Sequence, residues 1–281
     1  MLDTDSWKKY QGALLWNNLP DGKSPTQEEA KQALAQQKGM FARWTSDFDC
    51  GHPTEWWYCI CDTYTPIHRL TAKQRYRVNK GLRQCEVVNA RTDDRTDEHA
   101  IFELVKASFE DYPAAYRPKM QEDDFRNHLQ QLTDDENVDI WLVYSEGNKL
   151  VGYCQCTKAQ DIVWLTQVKV PTACLGMEVN AALVFTLCAH YLDELHFRYI
   201  CDGERNIKHM TNYQDFLVRV LNFRYAYCRL HVEYGRMMKI AVSTLYPFRN
   251  MIKLLGQVHP FLYNIYCVLL QEQIRRTFDN A

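Results

Sequence analysis

Residues 168–185 read VKVPTACLGMEVNAALVF. Val168 and Val170 have the alternation of a strand end, Pro171 interrupts it, and from Val179 the apolar residues recur at helical spacing. The layout is a strand, a short turn and a helix. At such a helix start the backbone N–H groups point outward and the dipole favours negative charge, so the turn could hold a phosphate. Gly176 is its one glycine. Two readings stand: a cofactor cradle, or the remains of one.

Working outward, DIVWLTQVKV is a strand, and VDIWLVYS and KLVGYCQCTK form a hairpin around the turn EGN. Two helices precede them, DEHAIFELVKASFEDY with Ile101, Leu104, Val105 and Phe109 in phase, and QEDDFRNHLQQL. Earlier still, LTAKQRYRVNKGLRQ is a basic helix closed by Gly81 and followed by the strand CEVVNA. Downstream, Val179, Leu183, Leu187, Tyr191 and Leu195 give the helix a wide apolar face suited to burial against a sheet. RYICDG is then a short strand, TNYQDFLVRVLNF a helix, and RYAYCRLHVEYG one long strand. The tail from YPFRNMIKLLG onward is helical, interrupted by Gly256 and Pro260. At the other end, residues 1–40 read as two helices around LPDGKSP. The aromatic-rich FARWTSDFDCGHPTEWWYCICD follows, its last part a buried strand. The fold class is α/β (α+β): a mixed, mostly antiparallel sheet flanked by helices, with N-terminal and C-terminal helical additions.

The chain has 281 residues, 46% hydrophobic and 24% charged, which is ordinary globular material with enough length for a well-buried core. Its net charge of -2 provides no overall basic field for double-stranded DNA. The start, MLDTDSWKKYQG, lacks the apolar core of a signal peptide, and no run of about 18 apolar residues occurs, so a cytoplasmic protein without a transmembrane segment is expected. Eleven cysteines include Cys59/Cys61 and Cys154/Cys156, spaced to share one strand face. With no C-x-x-C pair, they read as packed reduced thiols rather than metal ligands.

The element order from residue 85 to 235 resembles that of the GNAT superfamily of acyl-CoA-dependent N-acyltransferases. Two local pieces carry the likeness. VKVP…LGMEVNAAL stands where the family has a strand, R/Q-x-x-G-x-G/A and a helix. TNYQDFLVRVLNFRYAYCRL resembles the penultimate helix with its "LGFR"-like turn, here Leu221–Arg224. Upstream, LTAKQRYRVNKGLRQCEVV is similar to a segment of the Fem-type aminoacyl transferases. The resemblance implies an N-terminal helical and aromatic region (1–84), a GNAT-like acyltransferase domain (85–240) and a C-terminal helical extension (241–281). It further implies acetyl-CoA or another acyl-CoA as co-substrate, lying along Val168 and Val170 with its pyrophosphate near Gly176 and Asn180, and contacted by Asn212. Asn212 reads equally as a helix N-cap. This chain departs from the motif at Leu175, Glu178 and Asn180, and Val218 stands where the family often has a tyrosine acid. A Glu178 carboxylate aimed at the pyrophosphate would oppose binding; turned to its own helix start, it would fill the anion slot itself.

Catalytic candidates cluster in ICDGERNIKHMTN, which leaves the carboxyl end of the sheet. Asp202, Glu204 or His209 would serve as base, and Arg205 or Lys208 would hold an anionic group. A solvated, salt-bridged loop explains the same charges. Trp44, Asp47, Asp49, Trp56 and Trp57 suit either a cationic acceptor, with Trp44, Trp57 and Arg205 contacting substrate, or core packing. Lys73, Arg75, Arg77, Lys80 and Arg83 suit phosphates or a solvated face. The expected function is acyl-CoA-dependent N-acylation of a small-molecule or peptide amine, in a chain whose oligomeric state stays open. The alternatives are a Fem-type transferase using aminoacyl-tRNA, which alone brings RNA in as a partner, and a degenerate GNAT scaffold with a binding role.

Overall fold

The computed structural model describes residues 7–10, 12–110, 112, 117–207 and 212–278. In chain order its elements are β1 (Trp7–Tyr10), β2 (Ala13–Trp16), α1 (Gln27–Gln37), β3 (Phe41–Ser46), β4 (Trp57–Cys61), α2 (Ala72–Gln84), β5 (Cys85–Asn89), α3 (Glu98–Ala107) and α4 (Glu122–Asp134). There follow β6 (Val138–Ser145), β7 (Lys149–Ala159), β8 (Ile162–Lys169), α5 (Val179–Cys188), β9 (Tyr199–Glu204) and α6 (Tyr213–Leu221). The last are β10 (Arg224–Tyr227), β11 (Arg229–Tyr234), α7 (Arg236–Leu245), α8 (Arg249–Gly256) and α9 (Pro260–Phe278). The chain divides into two compact units. One contains the described residues up to 58, 204–207 and 225–278; the other contains 59–203 and 212–224.

In the first unit, β1-β2-β3-β11 form a sheet in which β2 and β3 run parallel. The helix expected at the N-terminus is a hairpin instead, pairing Trp7 with Trp16 and Tyr10 with Ala13. Gly12 makes it with φ +84°, a value side-chain-bearing residues rarely adopt. The apolar residues of this stretch fit both periods; burial of Trp7 and Leu14 against Ala30, Ala33 and Leu34 of α1 selects the strand. α1 starts at Thr26, whose capping box with Glu29 satisfies the first turn. The expected long strand at 224–235 is two strands broken at Cys228, whose N–H donates to the Trp56 carbonyl and whose carbonyl accepts from Thr54 Oγ1. β11 goes on to pair with β3, Arg229 opposite Ser46.

In the second unit the strands lie in the order β4-β9-β8-β7-β6-β5, with β8 and β9 parallel and β5 to β8 antiparallel. Alternation along β6 sends Ile140 and Leu142 toward α3 and α4, where Ile101, Leu104 and Leu129 complete a core. Asp139 and Trp141 face the other side. There Tyr191, in a π-type turn continuing α5, donates from Oη to Asp139 Oδ2 (2.7 Å) and accepts from Trp141 Nε1 (2.9 Å). Val179, Leu183, Leu187 and Tyr191 are all buried, as the sequence pattern requires, whereas Leu195 is exposed beyond the last turn. Gly81 does not close α2. The helix continues to Gln84, and Gly81 is instead where α2 meets the start of α5: a Cβ there would sit 2.6 Å from the Glu178 carbonyl oxygen.

Candidate active site

The second unit opens a gap between two strands. β9 pairs with β8 only from Ile162↔Tyr199 to Trp164↔Cys201, while β7 stays paired with β8 as far as Lys169. A register shift at Gln155/Cys156 places an extra residue, Thr166, in β8 just past the last β9 pair. Bulges bend a strand and increase its twist, which is the local cause of the parting. Val168 therefore lies on the half of β8 that β9 has left, and Val170 just beyond the strand's end. A strand edge of this kind presents N–H and C=O groups at the repeat of an extended, amide-bearing ligand.

At the far end of β8 a 3-10 turn, Thr172–Met177, leads into α5. Gly176 is exposed on it, and nothing stands within 4 Å of where its Cβ would be. Glu178 sits at the N-cap with φ +59° and makes no side-chain bond to its own helix. Its carboxylate turns to α2. Arg77 Nε donates to both carboxylate oxygens at 2.9 Å, and Arg77 Nη2 lies 2.7 Å from Oε2. The guanidinium also covers the Phe216 ring, 4.9 Å from its centroid. The carboxylate therefore neither caps the helix nor stands uncompensated before it. The Ala181 N–H donates to the Glu178 carbonyl at 2.9 Å, and the N–H groups of Val179 and Asn180 ahead of it form the positive end of the dipole. Asn180, in the first turn, keeps its Oδ1 buried and without a hydrogen-bond partner among the described residues.

Asp202 on β9 and Tyr213 at the start of α6 are close enough for the Asp202 charge to act on the Tyr213 hydroxyl. Burial pushes the Asp202 carboxyl up to about 7, partly offset by a hydrogen bond from the Gln214 side chain. Tyr213 Oη is buried without a hydrogen-bond partner among the described residues, and burial, together with the charge of Asp202, raises its pKa well above 10.0. The motif puts the acid at the Val218 position, within the helix; the signal for Tyr213 is an aromatic hydroxyl at a helix start that follows a strand carrying an acid. Asn212 occupies the N-cap position of α6 and its carbonyl accepts from the Phe216 N–H, but its side chain makes no cap bond. On the other face of this sheet an apolar pocket of about 270 Å³ lies between Val105, Phe109, Phe125 and Tyr153, with Lys169 at its wall. Lys169 Nζ stands 4.0 Å from the Phe109 ring centroid, and burial lowers its pKa.

In the first unit, Glu204 and Trp44 line a cavity of about 330 Å³ with Lys8, Trp16, Arg43 and Tyr58. Arg43 Nη2 lies 3.1 Å from Glu204 Oε2, and Tyr58 Oη donates to Glu204 Oε1 at 3.0 Å. Trp44 is mostly core, stacked on His231 at 5.0 Å. Trp57 and Arg205 form a cation–π pair at 4.7 Å, and Arg205 Nη1 is held 2.8 Å from Glu55 Oε2. His209 and Lys208 lie outside the described residues.

The C-terminal domain assigned to a lysylphosphatidylglycerol synthetase of Agrobacterium fabrum superposes on 85% of this chain and 83% of its own, with a TM-score of 0.51 at 10% identity. The fold is GNAT-like. FemX matches at a TM-score of 0.48 and 11% identity over 70% of this chain, which spans 66% of FemX, just under two thirds. A GNAT-family acetyltransferase of Staphylococcus aureus matches at a TM-score of 0.32 and 12% identity over 40% of this chain and 68% of its own. No protein-family model matches the sequence, and no curated protein does. The GNAT-like core is the sheet with the parted β8 and β9, and α5 and α6 are the helices that follow those two strands.

Proposed function

We propose that this GNAT-like chain is an acyltransferase that moves an acyl group from a donor lying along β8 to an amine acceptor, with acyl-CoA as the donor. The parting of β8 from β9 after Trp164 and Cys201 carries this reading. The residues present fit such a donor. The free half of β8 faces amide groups, Gly176 leaves room for close approach, Asn180 offers an unused buried acceptor, and Arg77 compensates the Glu178 carboxylate at the helix start. An acyl-CoA bound there supplies the acyl group as a thioester.

The protein's own contribution is proton handling. An amine acceptor must shed a proton before it attacks, and Asp202, with its carboxyl raised to about 7, is a base matched to neutral pH. Tyr213 stays protonated throughout that range and donates a hydrogen bond to the departing group, where negative charge develops. Titration of the full chain with acetyl-CoA in a calorimeter tests the donor. Heat and a thermal shift are expected; neither at millimolar ligand removes it.

A second donor, aminoacyl-tRNA, is favoured by one observation: Lys73, Arg75 and Arg83 are exposed on α2, beside the exposed Tyr76. An exposed basic and aromatic face suits RNA. That reading requires binding of charged tRNA that weakens steeply with salt. Salt-insensitive or absent binding sinks it.

A further inference from the structure

The helices α7, α8 and α9 carry a surface that the proposed chemistry does not use. Their inner stripes are already satisfied, since Val242, Ile252 and Leu269 form a buried cluster with Tyr234, Met238 and Leu245 packed against it. A second apolar stripe faces outward. Met237 is 80% exposed, Val258 76%, Phe261 74% and Leu254 70%, with Ile240 and Met251 more than half exposed beside them. Scattered apolar residues on a surface need no explanation, but most of the large exposed hydrophobics among the described residues fall within this one stretch.

Its charge is equally one-sided. Although the chain holds 35 acidic and 33 basic residues, no Asp or Glu occurs from Gly235 to Gln271, where Arg236, Lys239, Arg249 and Lys253 all lie. None of these four forms an ion pair among the described residues. Arg249 lies over the Tyr246 ring and donates to the Tyr246 carbonyl and to Gln273 Oε1 at 3.3 Å, and Lys253 lies near the Tyr266 ring. Exposed apolar side chains interleaved in sequence with cations that form no ion pair among the described residues fit an apolar layer capped by negative charge. A second copy of the same face would bring four cations against four, which disfavours self-association. Nucleic acid would satisfy the cations and leave the apolar stripe in water. No helix among the described residues is long and apolar enough to cross a membrane, so the helices would lie along it.

We infer that α7, α8 and the start of α9 dock on the surface of a bilayer containing anionic phospholipid, the apolar stripe entering the interface and the four cations meeting the headgroups. The test is co-sedimentation of the full chain with vesicles of phosphatidylcholine alone and of phosphatidylcholine mixed with phosphatidylserine, at low and high salt. Binding to the mixed vesicles is expected to be at least about tenfold stronger than to phosphatidylcholine and to weaken with salt. Leu254→Asp with Phe261→Asp, at exposed positions, lowers it by roughly tenfold or more while the circular dichroism melt is unchanged. Lys239→Glu with Lys253→Glu removes the preference for phosphatidylserine. Absence of vesicle binding overturns the inference, as does equal, salt-insensitive binding to both vesicles. Analytical ultracentrifugation supplies a further refuting outcome: a dimer that Leu254→Asp dissociates makes this face a contact between copies.

Discussion

Replacing Asp202 by Asn separates a residue kept for chemistry from one kept for stability. Asp202 is an acid whose folded pKa, about 7, lies above its ordinary 3.8 because burial disfavours the charged form. Folding therefore favours the protonated carboxyl. The stability this confers is fully present below about pH 4, falls as pH rises between the two pKa values, and is gone above the folded one. At about 1.36 kcal/mol per unit, a rise of roughly three units amounts to about 4 kcal/mol in all, of which about 2 to 3 kcal/mol is lost between pH 5 and 8. Asn keeps the shape and the acceptor oxygen for Gln214 and carries no charge, so the variant does not suffer that loss. Urea unfolding of both proteins at several pH values gives the comparison, and differences between them cancel every other titrating group. The advantage of Asp202→Asn is expected to grow by about 2 to 3 kcal/mol from pH 5 to pH 8, while acyl transfer falls by a factor of 10² or more. A difference that stays flat across that range refutes the reasoning, because it places Asp202 in water in the folded protein.

Tyr213→Phe removes a buried hydroxyl that lacks a partner among the described residues, so the protein should be as stable or up to about 1 kcal/mol more stable in thermal melts, while kcat drops roughly 10- to 100-fold. Gly81→Ala should destabilise despite the helix preference for Ala of about 1 kcal/mol, because the added methyl meets the Glu178 carbonyl; a net loss of about 1 to 3 kcal/mol in urea unfolding is expected. For Arg77 and Glu178, whose side chains are 31% and 17% exposed, a double-mutant cycle with Arg77→Met and Glu178→Gln should give a coupling of about 1 kcal/mol in stability. In acetyl-CoA titrations Arg77→Met alone should weaken binding more than the double variant, since it leaves the carboxylate uncompensated.

The sheet and its flanking helices were legible because each has a period that only one element satisfies. β6 to β8 are strands bounded by clear turns, and Val179, Leu183, Leu187 and Tyr191 can share a buried stripe only in a helix. The misreadings occur where the deciding contact is distant in sequence. WKKY and ALLW fit a helix or a strand until Trp7 and Leu14 are placed against α1. RYAYCRLHVEY alternates without interruption, and only the bonds from Cys228 to Trp56 and Thr54 break it. Gly81 carries the composition of a helix stop, yet it is the point of closest approach of two helices.

The candidate site divides along the same line. Its expected position at the end of β8, with Val168, Val170, Gly176 and Asn180, comes from the element order and the motif resemblance. The state of Glu178 does not, because it is set by Arg77, 101 residues earlier in the chain. That pairing also divides the basic run of α2 into two kinds of residue. Arg77 is turned inward onto Glu178 and Phe216, whereas Lys73, Arg75 and Arg83 point to solvent. The two donor readings therefore rest on different side chains. Neutralising the outward group should leave acetyl-CoA binding intact and abolish the salt-dependent RNA binding that the second reading requires. Arg77→Met should act in the opposite sense, since it changes the charge at the start of α5 and hardly alters the outer face of α2.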